Sequence, residues 1–423
     1  MTDTTCVIAG GGPAGAMLGL LLARAGIDVT LLEKHADFLR DFRGDTIHPS
    51  TLQVLDELGL MAEFEKLPHH TLPFLALNTG EELVPLADFR RLPCRYRHVA
   101  MVPQWDFLNM ITAAAARLPN FRLIMRAEAY DLVRDGDIKD RGAVRGVKYR
   151  EEGREREIRA ALTVAADGRG SDLRRAAGFQ PVELGAPMDV AWFRLDRHDG
   201  DPVETFLRPG VGVGVAAINR DTYWQLAYLI PKGGYEALKA RGVAAFRDTV
   251  QRLVPFLEPD ALTFDDVRVL TVRVNRLRRW HLPGLLVIGD AAHAMSPIAG
   301  VGINLAVQDA VAAANILAGP MAKAERRRRP VLDPVPDSLL ARVQRRRMYP
   351  TVATQFLQLL IQNRVIAKVL SGQELSQDLG GAARNIPGPL KRLAGRVVGL
   401  GFLPEHVRSH HVDMRAVTVD AVQ

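Results

Sequence analysis

The opening of the chain restricts the fold more than any other stretch. Residues 5–9 are apolar and predict a short buried strand, and the glycine-rich residues 10–15 follow at once. Residues 16–25 are rich in alanine and leucine and predict a helix, while residues 29–32 predict a second strand that ends at Glu33. Because strand, tight turn, helix and strand in this order form a βαβ unit, the sequence predicts an α/β fold with a parallel sheet.

The turn itself has the spacing G-x-G-x-x-G at Gly10, Gly12 and Gly15. The first glycine permits the bend, the second lets backbone approach a pyrophosphate, and the third lets helix and strand pack closely. The start of the helix adds unpaired N–H groups and partial positive charge. Glu33, at the end of the next strand, stands where a carboxylate accepts ribose hydroxyls. This pattern predicts an adenine dinucleotide without separating NAD from FAD, and the candidate ligands are Gly10, Gly12, Pro13, Ala14, Gly15, Glu33 and Lys34.

The character of the sequence changes twice further along. Between residues 187 and 274, β-branched and aromatic runs alternate with polar turns, which is typical of one antiparallel sheet. Strand and helix patterns then return at residues 285–288 and 302–318. We therefore expect a discontinuous nucleotide-binding domain, an inserted antiparallel sheet domain that binds substrate, and a linker with C-terminal helices. The predicted boundaries are 1–72, 98–186 and 275–318 for the first, 73–97 and 187–274 for the second, and 319–423 for the third.

Composition narrows the class of protein. The 423 residues carry a formal charge of +7, but the basic residues are spread along the chain, which argues against a nucleic-acid partner. Only two cysteines occur, Cys6 and Cys94, so neither a disulfide framework nor a metal site is expected. The sequence lacks the pattern of a signal peptide and any apolar run long enough to span a bilayer, so we expect a cytoplasmic protein without a transmembrane segment.

Two later stretches distinguish the two dinucleotides. Residues 166–174 read A-D-G-R-G-S-D-L-R, and residues 289–293 read G-D-A-A-H, followed by Pro297, Gly300, Gly302 and Asn304. With the first motif, these blocks resemble the flavoprotein aromatic hydroxylases of the para-hydroxybenzoate hydroxylase type, over roughly residues 5–318. The resemblance implies a Rossmann-like FAD-binding domain of the GR2 type, with an inserted antiparallel β-sheet substrate domain and C-terminal helices.

The same resemblance implies a function. The chain is expected to be a single-component, FAD-dependent, NAD(P)H-consuming monooxygenase that hydroxylates an aromatic, polyketide or quinone-like small molecule through a C4a-hydroperoxyflavin. NADPH or NADH is then a transient reductant and O2 a co-substrate, because no second G-x-G-x-x-G lies between a strand and a helix. The alternatives are an FAD-dependent reductase of the geranylgeranyl reductase type and a non-catalytic flavoprotein. A flavin halogenase is disfavoured, since the segment W-x-W-x-I-P is absent.

Further FAD ligands follow from the resemblance and from local chemistry. Asp290, at a strand end, is expected to bind the ribityl hydroxyls, and the loop before the last helix should direct N–H groups at the flavin ring edge that becomes anionic on reduction. Asp167 and Gly168 are expected to touch FAD and to support binding of the nicotinamide cofactor. The remaining candidates are Arg43, Gln104, Pro297, Gly300, Gly302, Ile303 and Asn304.

Two residues are candidates for a role near the reacting atoms. Pro297 is expected to form a rigid wall beside the flavin ring where oxygen reacts. His48 lies in a stretch expected to pass near the ring and is a candidate to meet substrate, although a structural role is equally open. His293, inside the matched motif, is expected to be a packing or hydrogen-bonded histidine.

The substrate pocket is expected between the inserted sheet and the flavin face. Alternating strand residues then line it, and the candidates are Trp192, Phe206, Val213, Val215, Gln225 and Ala227. The helical tail at residues 351–370 has one apolar face interrupted by polar residues. This pattern favours packing on the core, or on a second subunit in a homodimer, over contact with a membrane.

Overall fold

The structure is a computed structural model that describes residues 2–39, 46–135, 142–326, 333–372, 381 and 383–409. Its strands are, in chain order, β1 (Thr2–Ala9), β2 (Val29–Glu33), β3 (Thr46–Ile47), β4 (His70–Leu72), β5 (Phe74–Asn78), β6 (Leu83–Asp88), β7 (Val99–Met101), β8 (Phe121–Met125), β9 (Ala127–Arg134), β10 (Val144–Glu151), β11 (Arg154–Ala165), β12 (Pro181–Glu183), β13 (Met188–Asp196), β14 (Phe206–Gly210), β15 (Val213–Asn219), β16 (Tyr223–Pro231), β17 (Arg268–Leu270), β18 (Asn275–Leu277), β19 (His281–Leu282) and β20 (Leu285–Val287).

Helices alternate with these strands at both ends of the chain. The α-helices are α1 (Pro13–Arg24), α2 (Pro49–Glu57), α3 (Met61–Phe64), α4 (Gln104–Ala116), α5 (Asp172–Ala176), α6 (Tyr235–Ala240), α7 (Val243–Leu253), α8 (Gly302–Arg326), α9 (Asp337–Ile361), α10 (Ala367–Leu370) and α11 (Gly388–Leu400).

The first sheet has eight strands, and its main path runs in the order β19-β20-β11-β1-β2-β8. The central strands are parallel: β1 pairs with β2 and β11, and β11 pairs with β20. All five residues of β2 are buried, as expected for a parallel sheet covered on both faces. Helices α1, α4 and α8 pack on one face, and β9, β10 and the segment around Trp280 contribute the core on the other. The prediction of a Rossmann-like α/β fold is confirmed.

The second sheet has seven strands in the order β17-β13-β16-β15-β14-β5-β6. Its strands come from two separate parts of the chain, residues 74–88 and 188–270. One face of this sheet packs on α7, where Phe193 and Tyr228 meet the ring of Phe246 edge-on at centroid distances of 5.3 and 5.2 Å. The other face points toward the loop that precedes α8.

The pattern of residues 235–253 predicts one continuous helix, and the structure has two. α6 ends at Ala240 and α7 begins at Val243. Gly242 between them has a φ of +84°, a left-handed conformation that glycine adopts without strain. This residue therefore breaks the helix and turns α7 onto the sheet.

The C-terminal helix is longer than predicted. α9 begins at Asp337 and continues through a π-helical turn, Gln362–Ile366, into α10. Leu359, Ile366 and Leu370 pack against the second sheet, whereas Phe356 is 65% exposed. The apolar stripe of the tail is thus divided between the core and the surface.

Among the residues that the structure describes, one helix has the length and composition of a membrane span. An 18-residue window of the segment Ile298–Glu325 has a mean hydropathy of 1.4, and 83% of this window is buried inside the protein. The reason for its apolar character is its position, because α8 packs against both α1 and α9. Burial of this kind is what a core helix of a globular protein shows.

Candidate active site

The glycine turn between β1 and α1 has the shape that a pyrophosphate requires. Gly10 has a φ of +102°, and a Cβ atom there would lie 2.3 Å from the carbonyl oxygen of Ala166. A Cβ atom on Gly15 would lie 2.0 Å from the carbonyl oxygen of Gly10. At Gly12, by contrast, a Cβ atom would meet nothing within 4 Å, and no side chain caps the helix that starts at Pro13. The turn therefore leaves open space in front of unpaired N–H groups, and this space fits a pyrophosphate.

Glu33 ends β2 beside this turn. Its Oε2 accepts a hydrogen bond from the N–H of Gly11 at 3.0 Å, and its Oε1 accepts one from the N–H of His35 at 3.0 Å. The Glu33 side chain is only 6% exposed, so its carboxylate is held in one orientation at the position predicted for the ribose. Lys34, the next residue, is exposed.

Asp167 follows β11 and lies beside the start of the short helix α5, whose N-cap is Ser171. Its Oδ2 accepts from the N–H of Leu173 at 3.2 Å, and its Oδ1 accepts from the hydroxyl of Ser171. Burial raises the pKa of Asp167, although these two hydrogen bonds oppose the rise. Gly168 has a φ of +82°, and a Cβ atom there would meet nothing within 4 Å. The side chain of Asp167 thus shapes the turn, and the backbone of Gly168 borders open space.

The two later motifs interlock. Arg169 donates from Nε to Oδ2 of Asp290 at 2.9 Å. Arg174 donates to the carbonyl oxygen of Ala291 at 3.0 Å and to that of Arg169 at 2.8 Å. The G-D-A turn also packs on α1, because a Cβ atom on Gly289 would lie 3.0 Å from Cβ of Ala14. All three sequence motifs therefore meet at the carboxyl edge of the first sheet, where α/β folds bind their ligands.

A strained loop, residues 297–301, connects this edge to α8; we call it the flavin loop after the role expected for it from the sequence. Ala299 and Gly300 have φ values of +61° and +63°. The left-handed conformation costs an alanine about 1–2 kcal/mol, so the surrounding contacts must hold it. One such contact comes from Thr46, whose hydroxyl donates to the carbonyl oxygen of Gly300 at 2.7 Å. A Cβ atom on Gly302, the first residue of α8, would meet nothing within 4 Å, so the helix start borders open space.

Two predicted ligands at the start of α8 direct their side chains into the protein. Oδ1 of Asn304 accepts from the hydroxyls of Ser50 and Thr51 at 2.8 and 2.6 Å. Ile303 is 5% exposed and packs in the core between the first sheet and the helices. These side chains hold α8 against α2, and their backbone N–H groups are what the first turn presents.

His48 lies beneath the flavin loop and is 1% exposed. Burial lowers the pKa of His48 to about 4, although the backbone carbonyls of Gly300, Val398 and Ala299 oppose the change. The imidazole is therefore neutral at pH 7. This position supports the structural interpretation of His48 as strongly as a catalytic one.

His293 belongs to a buried charged cluster behind the site. Asp309, which is fully buried, lies 2.6 Å from Nε2 of His293, accepts from Nε of Arg347 at 3.0 Å, and accepts from the N–H of Gly289 at 3.1 Å. Burial raises the pKa of Asp309, but His293 and Arg347 outweigh it, and the net shift is downward. The cluster fixes the G-D-A-A-H turn on α8 and α9.

Three of the predicted substrate residues lie on the sheet face that points to the flavin loop. Trp192 and Ala227 are cross-strand partners, and both pack in one cluster with Ile298. Gln225 stands two residues before Ala227 and therefore shares its face. The buried Nε1 of Trp192 and Nε2 of Gln225 have no hydrogen-bond partner among the described residues.

Phe206, Val213 and Val215 lie on the opposite face, and the expectation that they line the pocket is corrected. They pack with Phe246 and Val250 of α7. Both faces of this sheet are buried, so alternation along the strands predicts two faces without indicating which one meets the flavin.

Gln104, Pro297 and Arg43 are the remaining predicted FAD-binding positions. Gln104 is the first residue of α4, and Pro297 begins the flavin loop; both are half-buried. Arg43 lies outside the described residues. No group of three or more His, Cys, Asp or Glu side chains within the described part of the chain is arranged to hold a metal ion.

Two kinds of residue at the site are not predicted from the sequence. Thr46 on β3 holds Gly300, and Gln355 and Gln358 of α9 hydrogen-bond to main-chain groups on the approach to the flavin loop. The signal for the glutamines was present, since large amides at helical spacing interrupt the apolar stripe of the tail.

Comparison with known proteins places the chain in a family. A family model described as "FAD binding domain" matches residues 3–330. The chain therefore belongs to this family of FAD-binding proteins, and the glycine turn, Glu33 and the interlocked motifs are the features that fit the cofactor. It is an FAD-dependent aromatic hydroxylase by class, an oxidoreductase of the monooxygenase type.

Two relatives support this class. The chain is 35% identical over 318 residues to 6-methylpretetramide 4-monooxygenase of Streptomyces rimosus, and the match covers 74% of each chain. It is 28% identical to 3-(3-hydroxy-phenyl)propionate/3-hydroxycinnamic acid hydroxylase of Escherichia coli, and that match covers 72% of this chain and 53% of the relative. The chain thus spans about half the length of the second relative.

Among solved structures, OxyS anhydrotetracycline hydroxylase from Streptomyces rimosus has the same fold. The TM-score is 0.70 with 22% identity, and the match covers 94% of this chain and 76% of that one. At this level of identity the likeness concerns the fold alone.

Proposed function

We propose that this enzyme hydroxylates a fused aromatic ring of the polyketide type, with NADPH or NADH as reductant and O2 as co-substrate. The observation that carries the proposal is the sheet face of Trp192 and Ala227, which packs toward Ile298 of the flavin loop. An apolar face beside the flavin suits a broad, flat ring system better than a small carboxylate. The name of the Streptomyces rimosus relative, a pretetramide monooxygenase, supports the same substrate class.

Two side chains on this face supply polar recognition. The Oε1 of Gln225 accepts from Nε of Arg220 at 3.0 Å, and since that nitrogen only donates, the amide must direct its NH2 group elsewhere. That NH2 group and the indole N–H of Trp192 are both buried without a partner among the described residues. Leaving such donors unpaired costs free energy, so a substrate oxygen that accepts from them is favoured.

FAD and the side chains of the protein then have separate roles in the reaction. FAD, once reduced by NAD(P)H, supplies the oxygen-transfer chemistry. Trp192, Gln225 and Ala227 hold and orient the ring, Pro297 walls the flavin side, and the buried sheet excludes water. His48, being neutral, contributes no charge near the ring at pH 7.

An isotope experiment tests the proposal. The purified holoenzyme is incubated with NADPH or NADH, aromatic polyketide and phenol candidates, and 18O2. Incorporation of one 18O atom into a product supports hydroxylation. Substrate-dependent reduction without label supports a reductase of the geranylgeranyl reductase type, and a flavin that neither NADH nor NADPH reduces supports a non-catalytic flavoprotein; either result contradicts the proposal.

A pair of variants tests the recognition step. Trp192→Phe keeps an aromatic ring and removes the donor, so KM for the accepted substrate should rise roughly tenfold, about 1.4 kcal/mol, with unchanged FAD affinity. Tyr228→Phe is the matched control, because Tyr228 lies on the opposite face against Phe246. An equal effect of both variants on KM would contradict the assignment of Trp192.

A further inference from the structure

Three glutamines form a row on one face of the C-terminal helical segment. Gln355, Gln358 and Gln362 are spaced by three and four residues, so their side chains project from the same side. They are 0%, 4% and 0% exposed. We call this set the glutamine row.

The central member grips the approach to the flavin loop. Nε2 of Gln358 donates to the carbonyl oxygens of Ser296 and Ile298, each at 2.9 Å. Its Oε1 accepts from the N–H of Ser296 at 3.2 Å. One amide therefore engages three main-chain groups on either side of Pro297.

The flanking members extend this contact in both directions. Nε2 of Gln355 donates to the carbonyl oxygens of Asn275 and Ala294 at 2.8 and 3.1 Å, and its Oε1 accepts from Arg276 at 2.8 Å. Nε2 of Gln362 donates to the carbonyl oxygen of Gly185 at 3.1 Å. Gln355 and Gln358 thus join α9 to the segment that leads from the G-D-A-A-H turn into the flavin loop, whereas Gln362 joins the π-helical turn to the segment before β13.

Docking of the helix alone does not require these amides. Leu359 and Ile366, on neighbouring positions, already pack against the second sheet. A buried amide is costly unless its hydrogen bonds are made, and an apolar side chain docks a helix without that requirement. What the amides add is a defined position for the backbone of residues 294–298, directly before the strained Ala299.

The row also lies outside the part of the chain that the family model matches. That match ends at residue 330, and α9 begins at Asp337. The glutamines are therefore a contribution of the C-terminal helix to a site whose three sequence motifs all lie in the matched region.

We propose that Gln358, supported by Gln355, is a positioning residue for the flavin. It holds residues 294–298, and with them the left-handed turn in which the N–H of Gly300 donates to the carbonyl oxygen of Pro297 at 3.1 Å, so that the first turn of α8 presents its N–H groups to the ring edge that becomes anionic on reduction. Fixed donors at that edge stabilise reduced FAD more than oxidised FAD. Loss of the Gln358 amide lets the loop shift, which weakens binding of FAD and weakens binding of reduced FAD further.

The test compares Gln358→Leu with Gln344→Leu in the full chain. Gln344 is a matched control, because this glutamine of the same helix also pairs with main chain, donating to the carbonyl oxygen of Arg278 at 2.8 Å and accepting from the N–H of Trp280 at 2.9 Å. The readouts are the Kd of FAD, the reduction potential of bound FAD and the Tm of the apoprotein.

For Gln358→Leu the Kd of FAD should rise at least tenfold. The affinity for reduced FAD should fall by a further factor of ten, which makes the reduction potential of the two-electron couple about 30 mV more negative. Both variants should lower the Tm of the apoprotein by a similar amount, but Gln344→Leu should leave the Kd of FAD within twofold of the wild-type value. Equal effects of both variants on Kd and potential, or no effect of Gln358→Leu on either, would overturn the proposal.

A second variant covers the case in which Gln358→Leu does not fold. Gln358→Met keeps the length and flexibility of the side chain and adds no charge, but it makes none of the three hydrogen bonds. It should reproduce the change in potential while remaining folded. A folded Gln358→Met protein with wild-type Kd and potential contradicts the positioning role just as directly.

Discussion

Arg169 donates a hydrogen bond to Asp290 at 2.9 Å across 121 positions of sequence. The pair joins the A-D-G turn after β11 to the G-D-A turn after β20, two neighbouring parallel strands. Together with Arg174, which holds Ala291, it makes one surface from two distant motifs. The cofactor site is therefore a property of the assembled sheet edge.

This pair yields the first prediction. Arg169→Met should weaken FAD binding roughly fivefold, about 1 kcal/mol, because the two side chains are 26% and 32% exposed and water screens their attraction. Equilibrium titration with FAD measures the change. Arg175→Met, which removes an exposed pair with Asp172, is the control and should leave the Kd unchanged.

Two glycines of the first turn should behave differently. Gly10→Ala forces a side chain into a left-handed position against the carbonyl of Ala166, so the apoprotein should lose roughly 1–3 kcal/mol of unfolding free energy. Gly12→Ala places its Cβ in open space, so apoprotein stability should stay the same while the Kd of FAD rises at least tenfold. Urea unfolding and FAD titration separate the two effects. A Gly12→Ala protein with wild-type affinity would count against a pyrophosphate at this turn.

His48 should give the protein a recognisable acid sensitivity. Its pKa is about 4 in the folded protein and 6.5 in an unperturbed side chain. Between these values the unfolded chain binds a proton that the folded chain does not, so stability falls as the pH drops through this window. The full contribution is about 3 kcal/mol. Urea unfolding at pH 7.5 and 4.5 should show a smaller pH dependence for His48→Leu than for the wild type, and an unchanged dependence would contradict the buried neutral histidine.

The buried cluster around Asp309 should contribute more to the free energy of unfolding than an exposed ion pair does. Arg347→Met leaves a carboxylate in the core with one partner fewer, and we expect a loss of about 3–5 kcal/mol of unfolding free energy. The exposed pair of Arg90 with Asp88 provides the comparison, and Arg90→Met should cost less than about 1 kcal/mol. Similar losses of unfolding free energy in Arg347→Met and Arg90→Met would contradict the prediction that burial makes the Asp309 cluster more stabilising.

Local sequence determined the parts of the site that depend on local backbone. Gly10 and Gly15 stand where the turn requires glycine, Gly12 borders open space, and Glu33 ends β2, because turn geometry and strand length are set within a few residues. The fold class follows from the same order of strands and helices.

What the sequence did not reveal depends on contacts between distant segments. Both faces of the second sheet are apolar, so the sequence does not distinguish Phe206 and Val215 from Trp192. Only the packing of α7 on one face separates them. The partners of Gln358 are main-chain atoms 60 and 62 positions away, and no side-chain pattern encodes them. The strain at Ala299 likewise depends on distant contacts, because Gln358 holds the residues before it and Thr46 holds Gly300 after it.

The most direct test of the account is equilibrium titration of the purified chain with FAD, followed by flavin fluorescence. We expect one FAD per chain, with an affinity that falls in Glu33→Ala by about 1–3 kcal/mol, since that variant loses a buried charge-assisted hydrogen bond. A folded protein that takes up no FAD in excess cofactor, or a Glu33→Ala variant that binds FAD as tightly as the wild type, would contradict the site described above.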